Sequence, residues 1–208
     1  MASTFPHLYW LGGSACSGKT SVAHLLAAEH GMTLYSIDDH FEEHRRRADP
    51  AQHPAFCRLA NLAPRALFSG PAEAQARDLL AFYEDELEMV LAELAALSGP
   101  VLAEGVGLLP ARIAAALAAP SRGVWLIATE AVRRSFQASR AMMIEELLGR
   151  CPDPQQALTR WMERDTLVAA VIEKAARELG LQVMTVDGSR GVEETAAEVA
   201  RKLGLRGS

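Results

Sequence analysis

Residues Gly13-Ser14-Ala15-Cys16-Ser17-Gly18-Lys19-Thr20 satisfy the pattern G-x-x-x-x-G-K-[ST] at every constrained position. Few octapeptides restrict a chain so tightly, because the pattern does its chemistry only as a turn between a strand and a helix. Its glycines let the backbone turn N–H groups inward around an anion, and the following helix presents its N-terminus to the same anion. The lysine adds a mobile cation, and the last hydroxyl is a metal ligand. The flanks agree with this reading. Leu8 to Leu11 is a compact apolar run, and Val22, Leu25 and Leu26 share one face of a helix pattern that Gly31 stops. Residues Gly13 to Thr20, with Ser21 next in line, are therefore predicted to cradle phosphate oxygens. Cys16 sits in this loop as a small side chain at an unconstrained position.

The rest of the chain continues the alternation. Further strands are predicted at Met32 to Ile37, Val101 to Ala103, Gly123 to Ala128 and Leu181 to Val186. Each is short, almost continuously apolar and bounded by turn residues, as strands buried on both faces of a parallel sheet are. Helices are predicted at Pro71 to Leu97, Ala111 to Ala119, Glu130 to Leu148, from the Asp153-Pro154 cap to Leu179, and Val192 to Leu203. Strand and helix in turn imply an α/β fold with a parallel sheet. More than 60 residues separate strands two and three, and more than 50 separate strands four and five. A crossover needs about a dozen, so both stretches read as inserts on the sheet.

Composition narrows the partners. The 208 residues carry a formal net charge of -5, which argues against a protein that grips nucleic acid by its phosphates. No uncharged apolar stretch is long enough to span a bilayer, so no membrane partner is expected. Three cysteines without a CxxC pair suit a reducing compartment, and the first residues show no basic segment followed by an apolar run. A cytoplasmic protein is expected. Of the 21 Lys and Arg residues only three are lysines, Lys19, Lys174 and Lys202, and the first fills the one position where the loop requires it.

The phosphate loop, the Asp38-Asp39 pair ending strand two and Ala103-Glu104-Gly105 after strand three together resemble the P-loop nucleoside and nucleotide kinase group. Within it the chain is similar to uridine kinase, shikimate kinase, gluconate kinase and chloramphenicol phosphotransferase. The order of features covers most of the chain, and the phosphate loop is the specific part. The resemblance implies a three-layer P-loop NTP hydrolase fold with a five-stranded parallel sheet in the order 2-3-1-4-5, built as a single domain over 1–208. It places an acceptor-side helical insert at about 40–98 and a lid at about 130–165. It also implies ATP as donor, Mg²⁺, and the hydroxyl of a small molecule as acceptor.

Site residues follow from the same resemblance and from strand ends facing the ligand crevice of such sheets. Lys19, Asp38 and Arg164 are the expected catalytic groups, with Asp38 as base and Asp39 as its alternative. Thr20 and Glu104 are expected at the metal. Many phosphate-loop proteins have aspartate where Glu104 stands, which leaves direct or water-mediated metal contact open. Asp38, Asp39, Arg45, Arg58 and Glu104 are expected around the acceptor, with Arg46, Arg47 and Arg65 nearby. Arg160 and Arg164, four apart on one helix face, are the leading nucleotide-side lid arginines, followed by Arg134; Arg133 and Arg140 lie in the same insert. The loop Asp187 to Arg190 is either a contact to the nucleotide base or a turn into the last helix.

His40 and His44 have i, i+4 spacing, but Phe41 replaces the Glu of H-E-x-x-H, so local polar contacts or hydrogen bonds to a substrate are expected there rather than a zinc site. Trp125 and Trp161 are read as packing residues. Two other functions fit the loop: a nucleotide-dependent switch, although no D-x-x-G or N-K-x-D segment accompanies it, and a nucleoside monophosphate kinase with Arg45 to Arg47 on the acceptor phosphate.

Overall fold

A computed structural model of the protein describes residues 5–139, 148–149 and 151–205, without the side chains of 64, 65 and 137–139. Arg65 and Arg140 therefore lie outside the described side chains. So does the second half of the helix expected from Glu130 to Leu148.

Five strands form one parallel sheet in the order β2-β3-β1-β4-β5. They are β1 (Leu8–Gly13), β2 (Thr33–Ser36), β3 (Val101–Glu104), β4 (Gly123–Ala128) and β5 (Gln182–Val186). Both faces are covered, which is why the strands read as unbroken apolar runs rather than alternating ones. On one face Leu8, Trp10, Val101, Ala103, Trp125 and Ile127 meet α5 (Ala72–Ala96), α6 (Pro110–Ala116) and α8 (Pro154–Glu178). On the other, Leu11, Leu102, Val124, Leu126 and Met184 meet α1 (Lys19–His30) and α9 (Val192–Leu203). The result is three layers. Trp125 closes one of them as a packing residue: its indole N–H donates to Leu108 O at 2.9 Å, and its ring covers Gly12.

Helix ends follow local chemistry. Asp153 caps α8 by accepting from Gln156 N at 2.9 Å, with Pro154 in the first turn. Gly31 ends α1 in the left-handed conformation at φ 60°.

The stretch after β2 differs from its sequence reading. The strand stops at Ser36, and α2 (Ile37–Arg47) begins at once, so Asp38 and Asp39 occupy a helical first turn rather than a loop. Two short helices follow, α3 (Pro54–Ala60) and α4 (Pro64–Leu67). Phe41, Phe56, Leu59, Phe82 and Met89 give α2, α3 and α5 a small core of their own, with Phe56 and Phe82 stacked at 4.6 Å. α7 (Glu130–Ser139) follows β4. Phe68, Cys151, Ala157 and Trp161 form a further cluster that ties the start of the α5 region to α8.

Candidate active site

The loop between β1 and α1 is built by close approach. Gly13 has φ 125°, and a Cβ there would lie 2.0 Å from Leu126 O, so only glycine lets β1 turn against β4. Ser14 N donates to Leu126 O at 2.9 Å, and Ala128 N donates to Ser14 Oγ at 2.9 Å. These bonds fix the first half of the loop on the neighbouring strand. Ser17 Oγ and Lys19 Nζ both donate to Ser14 O, at 2.9 and 3.0 Å, which closes the turn on itself. Cys16 and Gly18 take left-handed conformations at φ 58° and 77°, and no side chain caps α1. Its first turn thus opens onto the loop as a ready anion site.

Lys19 is buried at 7% exposure. Burial pulls its ammonium below the ordinary lysine value, while the charges of Glu104 and Asp38 push it back up. Glu104, the last residue of β3, is 2% exposed. Its Oε1 accepts from Thr20 Oγ1 at 3.2 Å and Ser36 Oγ at 2.9 Å. A carboxylate and a hydroxyl are thus held side by side at the lip of the loop. That donor pair fits a magnesium ion that takes its remaining oxygens from phosphate and water.

Asp38 stands in the first turn of α2, exposed, and close enough for its charge to act on Lys19, Tyr83 and Glu86. Asp39 is exposed too, but its charge is not among those acting on Lys19. Of the two aspartates, Asp38 is the one whose charge reaches the loop lysine.

Tyr83 and Glu86 of α5 complete this side. Glu86 is 3% exposed and accepts from His44 Nδ1 at 3.1 Å. His44 also faces Glu93 at 3.5 Å through Nε2, and the Tyr35 hydroxyl donates to Glu93 at 2.7 Å. Both ring nitrogens of His44 thus meet carboxylates, and His40 stacks on Tyr35 at 4.1 Å.

The expected arginines divide. Arg164 donates to Asp165 Oδ1 at 3.0 and 2.7 Å, lies over the rings of Phe68 and Trp161, and acts on Tyr83. Arg160, one turn earlier, has no ion pair among the described residues. Arg45 and Arg58 are exposed and paired with Glu42 and Asp78, each at 2.9 Å. Arg46 is paired with Glu43, and Arg47 with Glu93. All four are thus held by carboxylates of α2 or α5. Arg134 is likewise exposed and paired with Glu130.

Arg133, which the sequence ranked lower, is the buried one: it donates to Ala128 O at the end of β4 and to Thr166 Oγ1 at 3.3 Å. Residues it shares with α5, α7 and α8 line a cavity of about 530 Å³. No phosphate-loop residue lines that cavity, so the chemistry is placed by the loop and the strand ends instead.

Asp187 accepts from Ser189 N and Oγ at 2.9 and 2.6 Å, a closed turn leading into α9. Ser36, which donates to Glu104, and Tyr83 and Glu86, on which the charge of Asp38 acts, are neighbours of these groups that sequence reasoning did not single out.

No family model matches the sequence, and no curated protein does. Solved structures do. Shikimate kinase from Acinetobacter baumannii, in complex with shikimate, aligns with a TM-score of 0.50 and 17% identity over 93% of this chain and 90% of that one. TT1252 from Thermus thermophilus aligns with a TM-score of 0.50 and 18% identity over 98% and 100%. A gluconokinase from Sinorhizobium meliloti 1021 aligns at 17% identity over 97% and 93%, with a TM-score of 0.45. At these identities the likeness is one of fold, and the chain has the fold of the P-loop small-molecule kinases.

Proposed function

We propose that the protein transfers the γ-phosphoryl group of ATP to a hydroxyl of a small molecule. What supports this reading is the convergence of Lys19, Glu104 and Asp38 at the carboxyl ends of the adjacent strands β1, β3 and β2. Phosphoryl transfer asks a protein for positioning and for charge, with little covalent chemistry of its own. Loop N–H groups and the α1 N-terminus hold the donor phosphates. Lys19, freed from Ser14 O, reaches the oxygens on which charge develops. Thr20 and Glu104 are the residues that would hold a magnesium ion, which would polarise the transferred group and offset its charge. Asp38 takes a hydrogen bond from the acceptor hydroxyl, orients it in line and receives its proton. Arg164 and Arg133 stand on the lid side, where guanidinium offsets the spreading negative charge.

A monophosphate acceptor is less well served, because Arg45 and Arg46 are engaged by Glu42 and Glu43 of α2 and Arg47 by Glu93 of α5. The test is a panel of hydroxyl acceptors with ATP and Mg²⁺, read by ADP release. Acceptor-dependent ADP that disappears in Lys19→Ala and falls steeply in Asp38→Asn is the expected result. ADP formed at one rate with or without every acceptor would support a nucleotide-dependent switch instead.

A further inference from the structure

β2 and β3 end in register, with Ser36 paired to Glu104 and Leu34 to Leu102. Side chains two apart on a strand share a face, so the two leucines lie on the same side as this polar pair, in the layer that α1 covers. An apolar face thus turns polar in its last residue, where Thr20 of α1 comes alongside. Ser36 is 4% exposed there. A buried hydroxyl costs free energy unless it finds a partner. Its partner is the Glu104 carboxylate: Ser36 Oγ donates to Oε1 at 2.9 Å.

The place of Ser36 in the chain offers it a different bond. It is the N-cap of α2, where serine ordinarily accepts from a first-turn N–H, yet its side chain makes no cap bond. The hydroxyl is turned across the sheet to β3 instead. Two contacts hold the junction in that pose. His40 Nδ1 donates to Ser36 O at 2.8 Å, and Ile37 lies so close over Gly105 that a Cβ there would be 2.8 Å from its Cδ1. Ser36 and Thr20 both reach the same oxygen of Glu104. Thr20 belongs to the magnesium pair itself, whereas Ser36 Oγ has Glu104 as its only hydrogen-bond partner among the described residues.

We propose that Ser36 is a positioning residue for the metal: its hydroxyl fixes the Glu104 carboxylate, so that Glu104 and Thr20 are presented to magnesium already in place. Donors one hydrogen bond behind a metal ligand govern about ten- to a hundredfold in metal affinity or activity. The inference deepens the proposed function. It rests on that reading for Glu104 and Thr20 as the metal pair, and not on the identity of the acceptor.

The test uses Mn²⁺ as a probe for the magnesium position. Its binding to the full chain, saturated with a non-hydrolysable ATP analogue, is read from the paramagnetic resonance signal of the free ion. Ser36→Ala should weaken Mn²⁺ about tenfold, and Ser36→Thr, which keeps the donor, should bind it as the parent does. Affinity for the analogue in EDTA should be the same in Ser36→Ala and the parent, because no bond of the phosphate loop is lost. In turnover, Ser36→Ala should need more Mg²⁺ for its half-maximal rate by the same factor, while saturating Mg²⁺ restores most of kcat. A variant that merely loosened the start of α2 would instead lose kcat at every Mg²⁺ concentration and would overturn the proposal. So would an equal loss of analogue affinity in EDTA, or Mn²⁺ affinity that is unchanged in Ser36→Ala but lost in Glu104→Ala; that last result would leave the kinase reading standing. Mn²⁺ binding unchanged in Glu104→Ala would sink the metal reading, and the role of Ser36 with it.

Discussion

Two glycines of the phosphate loop show how differently one residue type is used. At Gly13 a side chain would meet Leu126 O at 2.0 Å as well as adopt φ 125°, whereas at Gly18 the φ of 77° is unusual but nothing lies within 4 Å. Gly18→Ala should therefore cost only left-handed strain, about 1–2 kcal/mol. Gly13→Ala adds overpacking against β4 and should cost at least about 3 kcal/mol. Urea unfolding of the two variants checks this, and equal losses would mean that the β1 to β4 approach is softer than described. Lys19 supports a second expectation. Its side chain is buried, and its ammonium donates to Ser14 O. Lys19→Ala should lower kcat by about 10²–10³-fold, as removal of one transition-state donor does, and Lys19→Arg should not restore it, because guanidinium is a planar fork and not a compact point charge. Steady-state kinetics with the best acceptor decides. All three residues were legible in the sequence because the motif that contains them spans only eight positions. Arg133 was not: its neighbour Arg134 has the same charge and propensity, and only the rotation of α7 over the end of β4 decides which of them is buried.

Elements extend this lesson. The sequence reveals α1, α5 and α8 through their periodic apolar faces, and the strands through their unbroken ones. It does not reveal that α2 starts within one residue of β2, since Ser36-Ile37-Asp38 reads equally as a strand end and as a helix cap. Nor does it show that α2 is clasped to α5 by polar groups, because His44 lies more than 40 positions from both Glu86 and Glu93. This clasp makes stability depend on pH. Burial alone would disfavour charged His44, but the hydrogen bond to Glu86 and the charges of Glu86 and Glu93 outweigh it and raise its pKa above the ordinary 6.5. A histidine raised in the folded state contributes stability that is fully present below its unfolded pKa and is lost as pH rises through the folded one. The melting temperature should thus fall as pH is raised from about 6.5, the ordinary histidine value, into the alkaline range. In His44→Gln that part of the slope should vanish, with lower stability at acid pH and a narrowing gap at alkaline pH. Parallel melting curves for the two proteins across this range would rule out the charged clasp.

At the scale of the whole molecule, strand order decides where chemistry can sit. α1 leaves β1 on one face of the sheet and α6 follows β3 on the other, so the two central strands part at their carboxyl ends. The phosphate loop fills that opening from β1, Glu104 borders it from β3, and β2 brings Asp38 alongside. The same loop is tied to β4 through Ser14 and to β3 through Thr20 and Glu104. A ligand on the loop therefore contacts parts of the molecule that unfold together, and it should stabilise the chain as a whole rather than one segment. Ligand at 100 times its Kd adds about 2.7 kcal/mol to a protein that binds it only when folded. For a chain of this size that is a rise of about 5–11 °C in Tm, at 2–4 °C per kcal/mol. Adding Mg²⁺ and a non-hydrolysable ATP analogue should produce this shift with one cooperative transition in calorimetry. Glu104→Ala should remove most of the magnesium-dependent share, and Lys19→Ala most of the rest. An equal shift in all three proteins would place the nucleotide away from the loop, and a split transition would show that the loop is not coupled to the sheet as its hydrogen bonds require.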